Sequence, residues 1–378
     1  MTDAVEQIAI LKSPLEEAHK RLGAQMVVRD GWSVPTNYGD TLLEYAAVRE
    51  SGAGLIDLSA RGRILVSGSE AVQFLNGLIT NDMKTLAVGN WMPAAFPNVQ
   101  GRLIASVRVI RLRDEQTDKN VCSTFLIDTE PATHERVLKT TERFTLAGDF
   151  RVRDVSAQTA LLTVQGKKSA SLVRLVLGEA SGLAANGALQ IVWQESEVTI
   201  LRATHTGADG FDLILNAAAA TSLWDALHAA GARPVGYDAL EILRIEAGLP
   251  RYGVDMDETN VVTEAALDDA VSYTKGCYVG QEIIARIKYR GHVAKKLSGI
   301  KFDQPMKVEA GAVIKSMDNK EIGRVTSTTY SPHLGRTIGL GYVKYDYLAT
   351  DTQVKVSAEL GDMEARIAEL PFVSRVAP

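Results

Sequence analysis

The sequence is poor in the side chains that bind metals. It has 2 Cys and 6 His among 378 residues, with no C-x-x-C and no H-x-x-x-H spacing. Zinc sites built from neighbouring cysteines and histidines use such spacings, and an iron–sulfur cluster usually takes four thiolates. We therefore predict no metal site formed by this chain alone, and two free thiols. Cys122 lies in the apolar run VCSTFLID and is predicted to be a core residue, which leaves Cys277 for closer attention.

Excess positive charge and long apolar runs are also absent. The formal net charge is -5 at pH 7, whereas proteins that bind nucleic acids non-specifically usually carry a basic surface. No apolar run approaches the roughly 20 residues of a membrane span. The first segment, MTDAVEQIAILKSPLEE, carries acids where a signal or transit peptide would carry basic residues. These features predict a cytoplasmic protein without nucleic-acid or membrane partners.

Common catalytic motifs are missing as well. The sequence contains no phosphate loop, no G-x-S-x-G elbow, no H-E-x-x-H and no complete dinucleotide fingerprint. The histidines are scattered singly, so spacing gives no support for a catalytic triad. Whether the chain is an enzyme is therefore left open by its local motifs.

Helix and strand patterns predict an α+β protein of two or three domains, since one core rarely grows beyond about 250–300 residues. GRILVSG at 62–68 is a predicted strand. The order strand, helix, strand, strand, helix predicts a ferredoxin-like domain over 151–235. Short strands separated by turns predict a β-barrel over 291–378. The first domain is assigned to 1–150, completed by about 236–290.

Five separated stretches resemble one protein superfamily. GWSVPTNYGD at 31–40 and RIEAGLPRYGVDMDETNVVTEAAL at 244–267 resemble the glycine-cleavage T-protein, a folate-dependent aminomethyltransferase. FLNGLITND at 74–82, FPNVQGRLIASVRVI at 96–110 and KGCYVGQE at 275–282 resemble the YgfZ branch of that superfamily. The resemblance implies a three-domain cloverleaf with a central channel that holds tetrahydrofolate.

The resemblance implies a function with one main reading and two alternatives. The main reading is a YgfZ-like, tetrahydrofolate-binding protein that supports the assembly or repair of iron–sulfur clusters, with iron–sulfur enzymes or assembly proteins as partners. The first alternative is a tetrahydrofolate-dependent aminomethyltransferase or a related one-carbon transferase. The second is a scaffold whose folate pocket is vestigial.

A folate pocket needs an acid, because the pterin edge presents N–H groups that a carboxylate can accept in two parallel hydrogen bonds. In the T-protein this acid belongs to a G-E-D-G turn, and here the matching residues 207–210 read Gly-Ala-Asp-Gly. Alanine at 208 removes the acid. Asp209 or Glu264 is predicted to replace it, although Asp209 in a hairpin turn also has an ordinary structural explanation.

Three more residues are predicted to face the folate on the basis of the resemblance. Asp82 matches the acid that the T-protein places near the reactive folate nitrogens, although an Asn-Asp turn at a helix end would also explain it. Arg244 matches an arginine of the folate channel, on a helix predicted from about 237 to 247, and ion pairing with Glu241 or Glu246 is the alternative. Arg102, in the Gln-Gly-Arg turn, is the weakest candidate.

Cys277 is the predicted essential thiol. A thiol is a nucleophile or metal ligand only as the thiolate, which nearby cations favour. Lys275 lies two residues before it, and the next predicted helix carries Arg286, Lys288 and Arg290. A buried, inert cysteine in a tight turn is the alternative.

Overall fold

A computed structural model gives the fold of the chain. The structure describes residues 10–116, 120–143, 145–178, 182–304, 307–359 and 361–373. Within those ranges it is an α+β protein, as the sequence predicts.

Eight α-helices occur in the part of the chain that the structure describes, and most are short. They are α1 (Glu16–Arg21), α2 (Thr41–Ala46), α3 (Ala71–Leu78), α4 (His134–Glu142), α5 (Ser169–Leu177), α6 (Ala220–Ala229), α7 (Tyr237–Glu246) and α8 (Gln281–Arg290). No helix in these ranges is both long and apolar enough to cross a bilayer.

Twenty strands in the same ranges form three sheets and a barrel. They are β1 (Leu11–Lys12), β2 (Gln25–Arg29), β3 (Trp32–Asn37), β4 (Gly54–Asp57), β5 (Gly62–Gly68), β6 (Asn90–Pro97), β7 (Leu103–Gln116), β8 (Val121–Thr129), β9 (Arg151–Asp154), β10 (Thr159–Gln165), β11 (Ala188–Trp193), β12 (Ser196–Arg202), β13 (Gly210–Asn216), β14 (Arg233–Pro234), β15 (Lys295–Phe302), β16 (Val313–Lys315), β17 (Glu321–Ser331), β18 (Arg336–Lys344), β19 (Gln353–Ala358) and β20 (Gly361–Ala368).

Two larger sheets form the first two thirds of the molecule. One has five strands in the order β6-β7-β8-β5-β9, and the other has six in the order β11-β12-β13-β10-β4-β14. A small sheet, β1-β3-β2, stands beside them. Each large sheet buries one apolar cluster, which forms around Phe125 in the first and around Trp224 in the second.

The two large sheets do not each take their strands from one of the domains predicted with boundaries at 150 and 235. Strand β4 pairs with β10, with Leu55 opposite Val164, so an early segment belongs to the second sheet. Leu15 of the first helical region packs in the same cluster as Trp224. Conversely, β9 at Arg151–Asp154 pairs with β5 of the first sheet. Long-range strand pairing decides these memberships, and local sequence patterns do not report it.

The C-terminal unit is a closed six-stranded barrel in the order β15-β18-β17-β16-β19-β20. Apolar residues at alternate strand positions fill it, among them Ile300, Phe302, Val354 and Val356. Closure removes free sheet edges, which explains why strands this short are stable together. The predicted terminal barrel is confirmed.

Helix α7 joins the three units through one buried carboxylate. Glu246, which is fully buried, accepts hydrogen bonds from Tyr45 Oη at 2.8 Å, Arg49 Nη2 at 2.6 Å and Ser331 Oγ at 2.5 Å. Tyr45 lies in helix α2, and Ser331 is the last residue of barrel strand β17. Next to it, Ile245 packs against apolar residues of the barrel. The position of the barrel relative to the two sheets therefore depends on this end of α7.

We predict that Glu246→Ala lowers the free energy of unfolding by about 3–5 kcal/mol, because it leaves the buried Arg49 guanidinium without a carboxylate. Chemical denaturation and calorimetry would measure the loss. Glu50→Ala, at an exposed neighbouring position, is the matched control and should change little. A loss below about 1 kcal/mol for Glu246→Ala is typical of an exposed ion pair. It would contradict the conclusion that the Glu246 carboxylate holds the three units together.

Candidate functional site

A cavity of about 530 Å³ lies where the two large sheets meet helix α7. Its volume is within the range of about 300–1,000 Å³ that small-molecule sites usually have. The apolar part of its wall includes Val34, Leu58, Trp91, Pro93, Tyr237 and Leu240. Further wall comes from the segments after α7, at 248–251 and 266–269. The cavity is the candidate ligand site.

One wall carries an ion-pair cluster, which we call the inner cluster: Arg61, Arg108, Asp128, Glu130 and Asp212. Arg108 lies on β7 directly opposite Asp128 on β8, so strand pairing fixes their contact. Its Nη2 is 2.7 Å from Asp128 Oδ2, and its Nη1 is 2.7 Å from Asp212 Oδ2. Arg61 bonds to Asp128 at 2.8 Å and to Glu130 at 2.6 Å. The cluster ties the two large sheets together at the cavity wall.

Both aspartates of the inner cluster are fully buried and ionised. Burial alone would raise their pKa values. Arg108 and Arg61 outweigh it at Asp128 and hold its pKa below the usual range. At Asp212 the His205 and Arg108 contacts outweigh it and hold the pKa well below the usual range. Charge compensation of this kind is what makes a buried carboxylate tolerable.

The opposite wall carries Arg244, a predicted site residue that does line the cavity. Its Nη1 is 2.5 Å from Asp255 Oδ2 and its Nη2 donates to Ser327 Oγ at 2.7 Å, while Glu241 forms a further ion pair with it. Burial lowers its pKa, but Asp255 and Glu241 outweigh that and raise it. Arg244 therefore lines the cavity and also belongs to an ion-pair network that reaches the barrel.

Asp82 lies outside the lining of this cavity, at the turn that follows helix α3. Its Oδ1 accepts from the backbone N–H of Lys84 at 3.0 Å, which is the turn contact considered as its alternative. Lys275 lies nearby and is buried. Its Nζ donates to three backbone carbonyls, those of Asn76 at 2.6 Å, Ile79 at 2.9 Å and Asn81 at 2.7 Å.

These contacts give Lys275 a structural role. Burial lowers the pKa of its ammonium to about 8, and Asp82 acts in the opposite direction. An ammonium at the last carbonyls of a helix also interacts favourably with the helix dipole. The lysine beside the cysteine therefore fixes the end of α3 and the turn at Asp82.

Asp209 also lies outside the cavity lining, although Thr204 and His205 of the same turn are part of it. The Asp209 carboxylate forms a two-point ion pair with Arg202, at 3.0 and 3.3 Å, which closes the turn between β12 and β13. Ala208 is buried among apolar residues of the two sheets. Gly207 has a φ of +75°, and a Cβ there would lie 2.9 Å from that of Ala247, so glycine is required.

Glu264 and Arg102 lie outside the cavity lining, in two loops that contact each other. Glu264 is buried, and its Oε2 accepts from the backbone N–H of Val261 at 3.2 Å. Arg102 is exposed and donates to the carbonyl of Thr259 at 2.7 Å. Both contacts stabilise the segment between Tyr252 and helix α8.

Cys277 is exposed, and Cys122 is only partly buried. The turn before α8 depends on Gly280, which has a φ of +77° and would place a Cβ 2.4 Å from the carbonyl oxygen of Asn98. The thiol is thus presented on the surface by a tight turn, apart from the cavity lining. Among the described residues, no group of three or more His, Cys, Asp and Glu side chains is arranged to hold a metal ion.

Sequence reasoning missed His205 and the inner cluster. His205 lines the cavity, and its Nε2 is 3.0 and 3.1 Å from the two oxygens of Asp212. A signal was present, because Asp128 and Asp212 interrupt the apolar strand runs FLID and FDLIL. A charged residue within a buried strand needs a buried partner. The identity of that partner depends on which strands pair, and the local sequence does not show this.

We predict that Lys275→Met lowers the free energy of unfolding by about 2 kcal/mol, because three carbonyls lose a charged donor. Denaturant unfolding would measure it, with Lys84→Met at an exposed position as the control. The alkylation rate of the Cys277 thiol should stay within about twofold of wild type. Normal stability together with slowed alkylation would instead show that the ammonium acts on the thiol.

Comparison with known proteins agrees with this architecture. The family model of the GCVT N-terminal domain matches residues 15–275, and that of the glycine cleavage T-protein C-terminal barrel domain matches residues 295–374. The aminomethyltransferase of Rubrobacter xylanophilus is 34% identical, over 98% of this chain and 96% of that protein. The aminomethyltransferase of Thermotoga neapolitana is 32% identical, over 96% of this chain and 97% of that protein.

A solved structure shows the same fold. The crystal structure of the glycine cleavage system aminomethyltransferase T from Bartonella henselae superposes with a TM-score of 0.88, at 25% identity, over 97% of this chain and 99% of that one. These relatives carry the name of the transferase alternative, and the narrower YgfZ assignment is not confirmed by them. The match over nearly the whole length, in both sequence and fold, shows that the chain belongs to the glycine-cleavage T-protein family.

Proposed function

We propose that this chain is a tetrahydrofolate-dependent aminomethyltransferase or a related one-carbon transferase. The observation that carries the proposal is the cavity at α7, in a chain that matches aminomethyltransferases over 96–98% of its length. The family uses tetrahydrofolate, and the transferase alternative has better support than the iron–sulfur reading, for which the relatives give none.

The described residues of the cavity fit a folate. A pterin needs flat apolar walls and acids for its N–H edge, and the glutamate tail needs cations. Trp91 and Tyr237 supply aromatic walls, and Arg29 and Arg251 supply half-buried cations. The acids of the lining are Asp30, Glu130, Glu241, Asp268 and Asp269. We propose that one of these acids takes the place of the glutamate that the T-protein turn carries at the position of Ala208.

When bound, tetrahydrofolate supplies the amine nitrogens that take up a one-carbon unit. The residues that line the cavity bind and orient it. Arg244 is held by Asp255 and Ser327, so it presents a fixed cationic wall between the cavity and the barrel. The roles of Asp82, Asp209, Glu264 and Arg102 in folate binding stay predictions, because their described contacts are with the protein itself.

We predict that Ser106→Phe weakens tetrahydrofolate binding by about tenfold or more, which is about 1.4 kcal/mol. Ser106 is a half-buried cavity residue on β7, and a phenyl ring there occupies ligand space. Calorimetric titration with tetrahydrofolate would measure the change. The matched control is Ser171→Phe at an exposed position of α5, which should bind as wild type does. Equal affinity in both variants would place the folate elsewhere, and no binding by wild type would refute the proposal.

The iron–sulfur reading makes a contrasting prediction about Cys277. If the chain is a transferase, Cys277→Ala should keep tetrahydrofolate binding and the rate of ammonia release from an aminomethyl donor within about twofold, because the exposed thiol lies apart from the cavity. Both can be measured on the purified variant. Unchanged transfer together with loss of iron–sulfur enzyme activity in cells that carry only this variant would instead favour the main reading from the sequence.

A further inference from the structure

His205 combines two features among the described histidines: it lines the cavity, and only one of its ring nitrogens has a hydrogen-bond partner. Its Nε2 contacts both oxygens of Asp212, and its Nδ1 has no hydrogen-bond partner among the described residues. By contrast, His19 uses both nitrogens, Nε2 with Asp57 at 2.9 Å and Nδ1 with Tyr38 Oη at 2.7 Å. His19 is completely buried, whereas the His205 side chain is 16% exposed and lines the cavity.

The contact with Asp212 fixes the tautomer of His205. An ionised carboxylate can only accept hydrogen bonds, so the nitrogen that faces it carries the hydrogen. Asp212 is paired as a carboxylate independently of His205, because Arg108 Nη1 lies 2.7 Å from its Oδ2. Nε2 of the neutral ring therefore carries the hydrogen, and Nδ1 keeps its lone pair. A neutral imidazole oriented in this way is ready to accept a proton.

The loop that carries His205 is also fixed. Its backbone N–H donates to Gln165 Oε1 at 3.1 Å, and Thr206 Oγ1 donates to the same oxygen at 3.1 Å. Gln165 Nε2 in turn donates to Thr163 Oγ1 at 2.7 Å and to the carbonyl of Ala203 at 3.1 Å. The ring is therefore held at the wall by its backbone as well as by Asp212.

The charged groups around His205 belong to the inner cluster and to its own hairpin. The inner cluster contains three carboxylates, Asp128, Glu130 and Asp212, and two guanidiniums, Arg61 and Arg108. A positive charge that forms on His205 during the transfer therefore faces one more carboxylate than guanidinium. On its own hairpin, Arg202 and Asp209 form a pair and add no net charge.

We propose that His205, oriented by Asp212, is the proton acceptor of the one-carbon transfer. This inference rests on the proposed function and assigns a proton-transfer residue within the same cavity. His205 Nδ1 takes a proton from a folate nitrogen as that nitrogen bonds to the donor carbon. Asp212 is the positioning residue that keeps Nδ1 free.

The proton balance requires such a group. When a carrier-bound aminomethyl group becomes a methylene bridge between two folate nitrogens, two carbon–nitrogen bonds form. The bond from carbon to the carrier and the bond from carbon to the amine break, and each electron pair stays with its leaving group. Two N–H protons leave the folate, and one ends on the carrier atom and the other on ammonia. His205 accepts one of them and returns it to a leaving group, so the ring is unchanged after the cycle.

The test compares His205→Gln with His333→Ala, an exposed histidine, using tetrahydrofolate and an aminomethyl group bound to a small thiol. We expect His205→Gln to bind tetrahydrofolate within about twofold of wild type and to release ammonia about 100-fold more slowly. His205→Ala should be partly rescued by added imidazole.

The dependence of the rate on pH gives a further test. The wild-type rate should fall at acid pH, because a doubly protonated His205 has no lone pair left to accept a proton. His205→Gln should lack this fall. A wild-type rate in His205→Gln, or the same acid fall, would overturn the inference.

A second measurement does not depend on activity. Nitrogen-15 NMR of the histidine rings, assigned by the signal that His205→Ala removes, should show the hydrogen of His205 on Nε2 at neutral pH. A hydrogen on Nδ1 would overturn the inference while leaving the proposed function standing. A wild-type protein that neither binds tetrahydrofolate nor releases ammonia would instead refute the proposed function and the inference with it.

Discussion

The buried carboxylate of Glu246 is the contact on which the arrangement of the three units depends. It takes hydrogen bonds from Tyr45 and Arg49 on one side and from Ser331 of the barrel on the other. Two residues earlier on the same helix, Arg244 reaches Asp255 and Ser327. Since the cavity wall includes Arg244, the contacts that hold the barrel in place also shape the ligand site.

A second charged network completes that site from the other side. Arg108 joins Asp128 of the first sheet to Asp212 of the second, so the sheets meet through ion pairs at the cavity. Such buried pairs add little net stability, and removing one partner is costly. Here the network also fixes the tautomer of His205, because Asp212 accepts the hydrogen bond from Nε2 of its ring. One cluster thus serves both the fold and the chemistry proposed for the cavity.

Much of the fold could be predicted from the sequence, whereas the site could be predicted only in part. Apolar periodicity and the family resemblance located helix α7 and the terminal barrel, and Arg244 was placed at the cavity. The KGCYVGQE stretch pointed to an active thiol, but its lysine is engaged at the end of α3 and its cysteine is on the surface. His205 was missed because its partner, Asp212, becomes meaningful only when β13 is paired with β10 and brought next to Arg108.

The function proposed for the cavity at α7 is tetrahydrofolate-dependent one-carbon transfer. The most direct measurement is ammonia release by the purified wild-type protein from an aminomethyl group bound to a small thiol, with and without tetrahydrofolate. We expect ammonia release that needs tetrahydrofolate, saturates with it and forms one methylene-bridged folate for each ammonia. Ammonia release that is the same without tetrahydrofolate, or no release although tetrahydrofolate binds, would contradict it.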